Sequence, residues 1–281
     1  MQKRHFGSLP ALVPVIGIGT WNMEQVPRDL AIAAIRKAID LGMSHVDTAE
    51  LYGRGVFEEL VGEAIVGRRG QVFLTAKLLP SHGTYAGTIL ACERSLGRLR
   101  TDHLDLYLLH WPESMPLEDT WRAMETLKQE GKIRAWGVSN FDVVDLERAI
   151  ELLGPGKIVC NQVLYNLIER DIEHVLLPFC ERNHIAVTGY SPFGTGDFAR
   201  MGGWRHDVLA RIGKAHGTTA RAVALRFLVR RPSLFTIPKS TDVLHLAENA
   251  EAGDLVLSDD EIHEIMHAFP TGEPKSKMPF V

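Results

Sequence analysis

The chain has 281 residues, 45% hydrophobic and 23% charged, with 25 Gly and 14 Pro, which is ordinary globular composition and excludes a disordered, collagen-like or coiled-coil protein. Its 31 Lys and Arg against 35 Asp and Glu leave a net charge of −4, so no electrostatic case exists for nucleic acid or an anionic membrane as partner. Three widely spaced cysteines, Cys92, Cys160 and Cys180, form neither a CxxC pair nor a disulfide framework, and no run of apolar residues is long enough for a membrane span. The N-terminal Met1–Phe6 leads into Gly, Ser and Pro instead of a signal-peptide core, which with the cysteine pattern makes a reducing cytoplasmic location the expectation; a monomer is expected as well.

In chain order, Lys3–Phe6 and Leu12–Val15, separated by Gly7, Ser8 and Pro10, predict a hairpin. Short apolar runs then end near Gly19, Asp47, Lys77, His110, Ser139, Gln162, Tyr190 and Ile237. Most of the intervals between these ends are roughly 23–33 residues, long enough for a crossover helix; only Tyr190 to Ile237 is much longer. Helices are predicted over Arg28–Leu41, with one face marked by Leu30, Ala34, Ala38 and Leu41, and around Phe57, Leu60, Val61 and Ala64. A third contains Leu90, Arg94 and Gly97 and runs to Leu99, and a fourth holds Trp121, Met124, Leu127 and Lys128. Val144–Leu153, Ile172–Asn183, Thr219–Val229, Leu244–Glu251 and Ser258–Phe269 complete the set. Such a repeat fits an open doubly wound sheet or a closed barrel. No composition shift or linker divides residues 1–281, so one α/β domain, a (β/α)8 TIM barrel with an N-terminal β-hairpin, is expected.

In such barrels chemistry lies at the C-terminal ends of the strands. Asp47, Lys77 and His110 each end a run, and Tyr52 follows Asp47 on the next loop. Singly each has a plain structural explanation: a helix cap, a half-buried aromatic, a lysine reaching solvent, a core histidine. Together they crowd one low-dielectric mouth. A phenol with its ordinary pKa of about 10 exchanges protons poorly near neutrality. A nearby ammonium favours the phenolate, a carboxylate holds that ammonium charged, and an imidazole N–H can orient a carbonyl oxygen that the phenol protonates.

These residues sit in motifs that resemble the aldo-keto reductase family: Gly17-Ile18-Gly19-Thr20-Trp21, Asp47-Thr48-Ala49-Glu50-Leu51-Tyr52-Gly53, Lys77, and Leu108-Leu109-His110-Trp111-Pro112. Further along come Gly137-Val138-Ser139-Asn140-Phe141, Asn161-Gln162, Gly189-Tyr190-Ser191-Pro192 and Ile237-Pro238-Lys239-Ser240. The resemblance implies a barrel that uses NADPH without a Rossmann fold. Gly17-Ile18-Gly19 is no dinucleotide fingerprint, because Asn22 stands where the third glycine would be and no helix opens there.

By resemblance, Tyr52 is the general acid/base, Lys77 and Asp47 tune it, His110 orients the carbonyl of a small-molecule substrate, and no metal is required. Thr20, Trp21, Ser139, Asn140 and Gln162 are expected at the cofactor, the last three on the nicotinamide carboxamide, with Tyr190 stacked on the ring. Ser191, Phe193, Gly194 and Thr195 open a connection implied to lie over the pyrophosphate. Lys239 and Ser240 are expected at the 2′-phosphate, and Glu248 and Asn249 at the adenine. His245 stands where many members carry Arg, which narrows the expected margin of NADPH over NADH, since a neutral imidazole offers one donor where Arg offers a charged fork.

Short loops after His110 and after the last helix predict a shallow mouth lined by Trp21, Tyr52, Trp111 and Phe280, with relaxed selectivity for small aldehydes. A catalytically silent NADP(H)-binding subunit of the same fold is the alternative, and retention of all four residues speaks against it. A glycosidase using Asp47 and Glu50 leaves Lys77 and Tyr52 unexplained, and a metal hydrolase lacks a third ligand beside His103 and His110.

Overall fold

The computed structural model describes residues 1–23, 26–112, 117–275 and 279. Strands β1 (Lys3–His5) and β2 (Leu12–Pro14) pair antiparallel, Lys3 opposite Pro14 and His5 opposite Leu12. The hairpin closes the N-terminal end of the barrel. Phe6, fully buried, packs against the rings of His45, Phe73 and Phe235 at centroid distances of 5.7, 5.1 and 4.7 Å. Gly7, at φ 59°, lies so close to the sheet that a Cβ would stand 2.4 Å from the Val159 carbonyl oxygen, so the turn tolerates no side chain.

Eight parallel strands follow: β3 (Ile18–Gly19), β4 (His45–Asp47), β5 (Phe73–Leu78), β6 (Leu104–Leu109), β7 (Ile133–Ser139), β8 (Cys160–Leu164), β9 (Ala186–Tyr190) and β10 (Leu234–Thr236). Each pairs with its neighbour in sequence. The sheet then returns on itself: Ile16 bridges Thr236 in parallel, Gly17 N–H donates to the Thr236 carbonyl at 2.8 Å, and Thr236 N–H donates to the Val15 carbonyl at 3.0 Å. Closure satisfies both edges of the sheet. This is the expected (β/α)8 barrel with its hairpin.

The surrounding helices are α1 (Arg28–Asp40), α2 (Val56–Ala64), α3 (Tyr85–Leu99), α4 (Glu118–Gln129), α5 (Val143–Leu153), α6 (Leu176–Arg182), α7 (Asp197–Arg200), α8 (Trp204–Ala215), α9 (Ala220–Leu228), α10 (Val243–Glu251) and α11 (Asp259–Ala268). Their starts are written in the sequence: Thr84, Thr219 and Asp242 accept hydrogen bonds from first-turn amides, and Asp142 and Ser258 form capping boxes. The three cysteines are free and buried.

Several sequence expectations need correction. The buried stripe of α1 is Ala31, Ala34, Ile35, Ala38 and Ile39, while Leu30 is exposed; the stripe containing two isoleucines has more apolar surface to bury. Helix α3 turns Ala91, Cys92, Ser95, Leu96 and Leu99 to the barrel and leaves Leu90 exposed, a facing the sequence pattern does not assign. The segment expected as one helix over Ile172–Asn183 splits into a short 3-10 turn, Asp171–Glu173, and α6, with Pro178 confined to the first turn of α6, where its missing N–H costs nothing. The long interval after Tyr190 contains α7 and α8, and α8 packs between α9 and α11.

Helix α2 follows directly on the turn that carries Tyr52 and crosses α3 at Gly62, where a Cβ would lie 2.6 Å from the Arg98 carbonyl oxygen and 2.9 Å from the Leu99 backbone. Gly62→Ala should force these helices apart and lower stability by roughly 1–3 kcal/mol. Urea unfolding checks this, and an unchanged midpoint would show that the crossing yields at no cost.

Candidate active site

The stagger of the barrel gathers distant residues at one height. Asp47, the last residue of β4, lies opposite Thr75 of β5; Lys77 is two residues beyond Thr75, on the same face. Lys77 in turn lies opposite Leu108 of β6, and His110 is two residues beyond that. Each strand is thus shifted by two residues relative to the one before, so alternate side chains rise to the same rim.

Tyr52 reaches this rim from the β4 loop because the chain turns sharply after it: Gly53, Arg54 and Gly55 have φ of 55°, 52° and 93°. Three successive left-handed residues are costly for any residue but glycine, and two of the three are glycine.

Lys77 is fully buried, and its ammonium contacts three acceptors: the Asp47 carboxylate through Oδ1, the Thr48 carbonyl at 3.2 Å and the Tyr52 hydroxyl oxygen at 3.1 Å. An ammonium has three donors and no acceptor, so the Tyr52 oxygen must be the acceptor of that bond. Its own hydrogen is left to point elsewhere. Gln162 Nε2 donates to the second Asp47 oxygen at 2.7 Å, so the carboxylate is held at both ends. The Tyr52 and His110 rings meet edge-on at 5.8 Å, and His110 lies 4.9 Å from the Trp111 ring.

Burial dominates the electrostatics. It pulls the Lys77 pKa down, but Asp47 and then Tyr52 outweigh it, and the ammonium ends above its ordinary value. For Asp47, burial outweighs Lys77 and Gln162, and its pKa rises. Tyr52 corrects the expectation of a lowered phenol pKa: burial raises it, Lys77 offsets only part, and Asp47 adds to the rise. The phenol therefore stays protonated near neutrality. Burial and the Lys77 charge push His110 down to about 3, so its imidazole is neutral, and its Nδ1 is buried without a partner.

A cavity of about 510 Å³ opens beside these groups, within the range of small-ligand sites. Of the residues singled out from sequence, Asp47, Tyr52, His110, Thr20, Trp21, Trp111, Ser139, Asn140, Gln162, Tyr190, Ser191, Phe193, Gly194 and Lys239 all line it, with Lys77 behind Tyr52. Asn22, Leu51, Pro192 and Ile237 also line it and carried no chemical signal in the sequence. Ser240, His245, Glu248 and Asn249 lie outside this cavity, along the start and length of α10; Phe280 lies outside the described residues.

The polar groups on the cavity wall are already engaged with one another. Asn140, at φ 61°, donates to the His110 carbonyl at 3.1 Å and to Ser139 Oγ at 3.2 Å, and accepts from the Tyr190 hydroxyl at 2.9 Å. Ser139 donates to the Gln162 carbonyl at 2.8 Å, and Thr20 to the Asp47 carbonyl at 3.0 Å. The oxygens of Asn140 and Gln162 on this wall retain lone pairs that a ligand amide can use.

At α10, the exposed Asp242 accepts from the amides of Leu244 at 2.8 Å and His245 at 3.0 Å. This places a carboxylate at the helix N-terminus beside Ser240. Asn249 is fully buried with neither end of its amide partnered. A donor and an acceptor held side by side match the edge of a purine base.

A barrel whose strand ends bring a Tyr, Lys, Asp and His to an apolar cavity is the architecture of a carbonyl-handling oxidoreductase. The sequence profile of the Aldo/keto reductase family matches residues 15–268, and the chain belongs to that family. It is 40% identical over 271 residues to the methylglyoxal reductase YeaE of Escherichia coli (strain K12), covering 96% of this chain and 95% of that one. It is 35% identical over 258 residues to the glyoxal reductase of Bacillus subtilis (strain 168), covering 90% and 88%. A crystal structure of an aldo/keto reductase from Klebsiella pneumoniae in complex with NADP and acetate superposes with a TM-score of 0.92 at 41% identity, covering 100% of this chain and 99% of that one.

The neutral histidines make stability pH-dependent. His45, buried beneath the site with Nε2 3.3 Å from Thr75 Oγ1, is also lowered to about 3 by burial and Lys77. As pH falls below the ordinary value of 6.5, the unfolded chain takes up protons that the folded one refuses. Stability is therefore present above 6.5 and lost as pH falls from there toward about 3. Each imidazole contributes up to about 1.4 kcal/mol per pH unit in that window. His110→Gln should make the fall shallower by up to that amount in urea unfolding across the acid range. A slope identical to that of the unsubstituted chain would show that His110 protonates freely in the fold.

Proposed function

We propose that this chain reduces small aldehydes and α-dicarbonyls to alcohols with NADPH, Tyr52 giving up the proton. The observation that carries this reading is the donor arithmetic at Lys77. Its three N–H groups occupy Asp47, Thr48 and Tyr52, so the Tyr52 hydrogen is free to serve a carbonyl oxygen on the cavity side.

The cofactor reading is supported by the cavity's size, by the Tyr190 ring and Lys239 on its wall, and by the buried, unpartnered amide of Asn249. Ser139, Asn140 and Gln162 would meet the nicotinamide amide, Tyr190 its ring, the 191–194 segment the pyrophosphate, and Lys239 and Ser240 the 2′-phosphate. Glu248 and Asn249 would take the adenine. When bound, the dihydronicotinamide supplies a hydride to the carbonyl carbon.

The chain's own residues supply the rest. Tyr52 donates its proton to the carbonyl oxygen as negative charge grows there, and the resulting phenolate lies 3.1 Å from the Lys77 ammonium, which stabilises it. Asp47, anchored by Gln162, keeps Lys77 charged and in place. His110, neutral, orients the carbonyl by a hydrogen bond without adding charge. Trp21 and Trp111 line the cavity. An apolar mouth with few polar anchors discriminates weakly among small carbonyls. The names of the relatives from Escherichia coli and Bacillus subtilis point to the same substrate size.

NADPH consumption with short aldehydes, α-dicarbonyls, aromatic aldehydes and keto sugars tests the assignment. Turnover should be highest for the short dicarbonyls. Tyr52→Phe should lower kcat by about 100-fold or more while NADP binding stays within about twofold, because only the proton is lost. Turnover retained in that variant would rule out Tyr52 as the donor.

A further inference from the structure

We propose that Arg221 is a positioning residue that fastens the connection after β9 to α10 and thereby sets how long a nicotinamide dinucleotide stays bound. This rests on the reading above that the cavity takes such a cofactor. Arg221 is the second residue of α9, whose start is fixed by the Thr219 cap. Its guanidinium carbon lies 4.2 Å from the Phe193 ring centroid and 5.8 Å from that of Phe198. Its Nε stands 3.2 Å from Glu248 Oε2 on α10. One cation therefore joins three elements: the connection, α9 and α10.

The connection needs such a fastening. Ser191, Pro192, Phe193 and Gly194 form one wall of the cavity, and Lys239, just before α10, lines it as well. Among the described residues, the hydrogen bonds of segment 193–202 stay local: Gly194 N–H to the Ser191 carbonyl, Phe198 N–H to the Phe193 carbonyl, and Arg200 to Asp197. Beyond apolar packing, what ties the segment to the body is the stack of Phe193 and Phe198 on Arg221. The two rings are 5.0 Å apart and tilted, presenting a cleft of π surface to the guanidinium. Only 18% of the Arg221 side chain is exposed, so water competes weakly for the charge.

The pairing also occupies Glu248, next to the buried and unpartnered amide of Asn249. The proposal places the dinucleotide between the connection and α10, so that its release parts the two elements that Arg221 joins. The latch is indifferent to the 2′ substituent, because its partners are two rings and a carboxylate of the protein.

The test is the rate of cofactor release, read as recovery of quenched tryptophan fluorescence after stopped-flow chase. Complexes of the full chain with NADP and with NAD are compared, together with limited proteolysis of the ligand-free chain. Arg221→Met should release both dinucleotides about tenfold faster, equivalent to about 1.4 kcal/mol, and expose segment 193–202 to faster cleavage. Arg221→Lys, which keeps the charge for Glu248 but stacks less well, should fall between, and it carries the test if the methionine variant does not fold. Release rates equal to those of the unsubstituted chain would overturn the proposal. So would acceleration confined to NADP, which would make Arg221 a reader of the 2′-phosphate. If the unsubstituted chain bound neither dinucleotide, the cofactor reading itself would fall and the latch with it.

Discussion

A lysine ammonium with no exposure to water is an expensive object, and the active end of this barrel is built around keeping one. Transfer of such a charge out of water costs several kcal/mol unless each of its donors finds an acceptor and its charge a counter-charge. Lys77 finds Asp47, the Thr48 carbonyl and the Tyr52 oxygen, and Gln162 holds the far side of Asp47. Because a lysine can only donate, this packing also fixes direction: the tyrosine oxygen accepts from behind and its hydrogen is directed away. Satisfying a buried charge and aiming a proton are the same geometry.

That geometry requires the barrel. The acceptors come from β4 and its loop, the donor from β5 and the carboxylate clamp from β8, and only a closed, staggered sheet brings them to one height. Closure by the Ile16–Thr236 bridge and the plug of Phe6 under β4, β5 and β10 leave the opposite rim open as the place where polar side chains gather.

Much of this was legible in the sequence because barrels convert chain position into spatial position. Residues ending apolar runs must share a rim, so Asp47, Lys77 and His110 could be grouped before any coordinates, and the motifs carried Tyr52 with them. What could not be read was whatever depends on the angle between elements. The clamp of Gln162 on Asp47 crosses the barrel between strands that are not neighbours. The stack of Arg221 on Phe193 and its pairing with Glu248 join a helix, a connection and another helix through side-chain reach. Leu30 looked like a core residue because the spacing of 3–4 admits two overlapping stripes, and only packing selects between them. The net direction of the Tyr52 pKa was likewise beyond sequence, since it turns on how far burial outweighs one neighbouring charge.

That last balance shapes what the site accepts. Tyr52 and His110 both face the cavity as neutral groups, one kept protonated by burial and the other kept from protonating by burial and Lys77. With Nδ1 of His110 buried and unpartnered, the tautomer carrying its hydrogen on Nε2 is favoured, because a buried orphan donor costs more than a buried orphan acceptor. A neutral carbonyl oxygen entering under the proposed reaction would meet two neutral donors, while the charges of Lys77, behind Tyr52, and Asp47 are paired with each other. Positive charge is thus held where it becomes useful only after the proton has moved and a phenolate exists beside it. Under the proposed reaction, such a site would stabilise the charge that develops more than the substrate that arrives, which is the condition for a binding interaction to raise kcat.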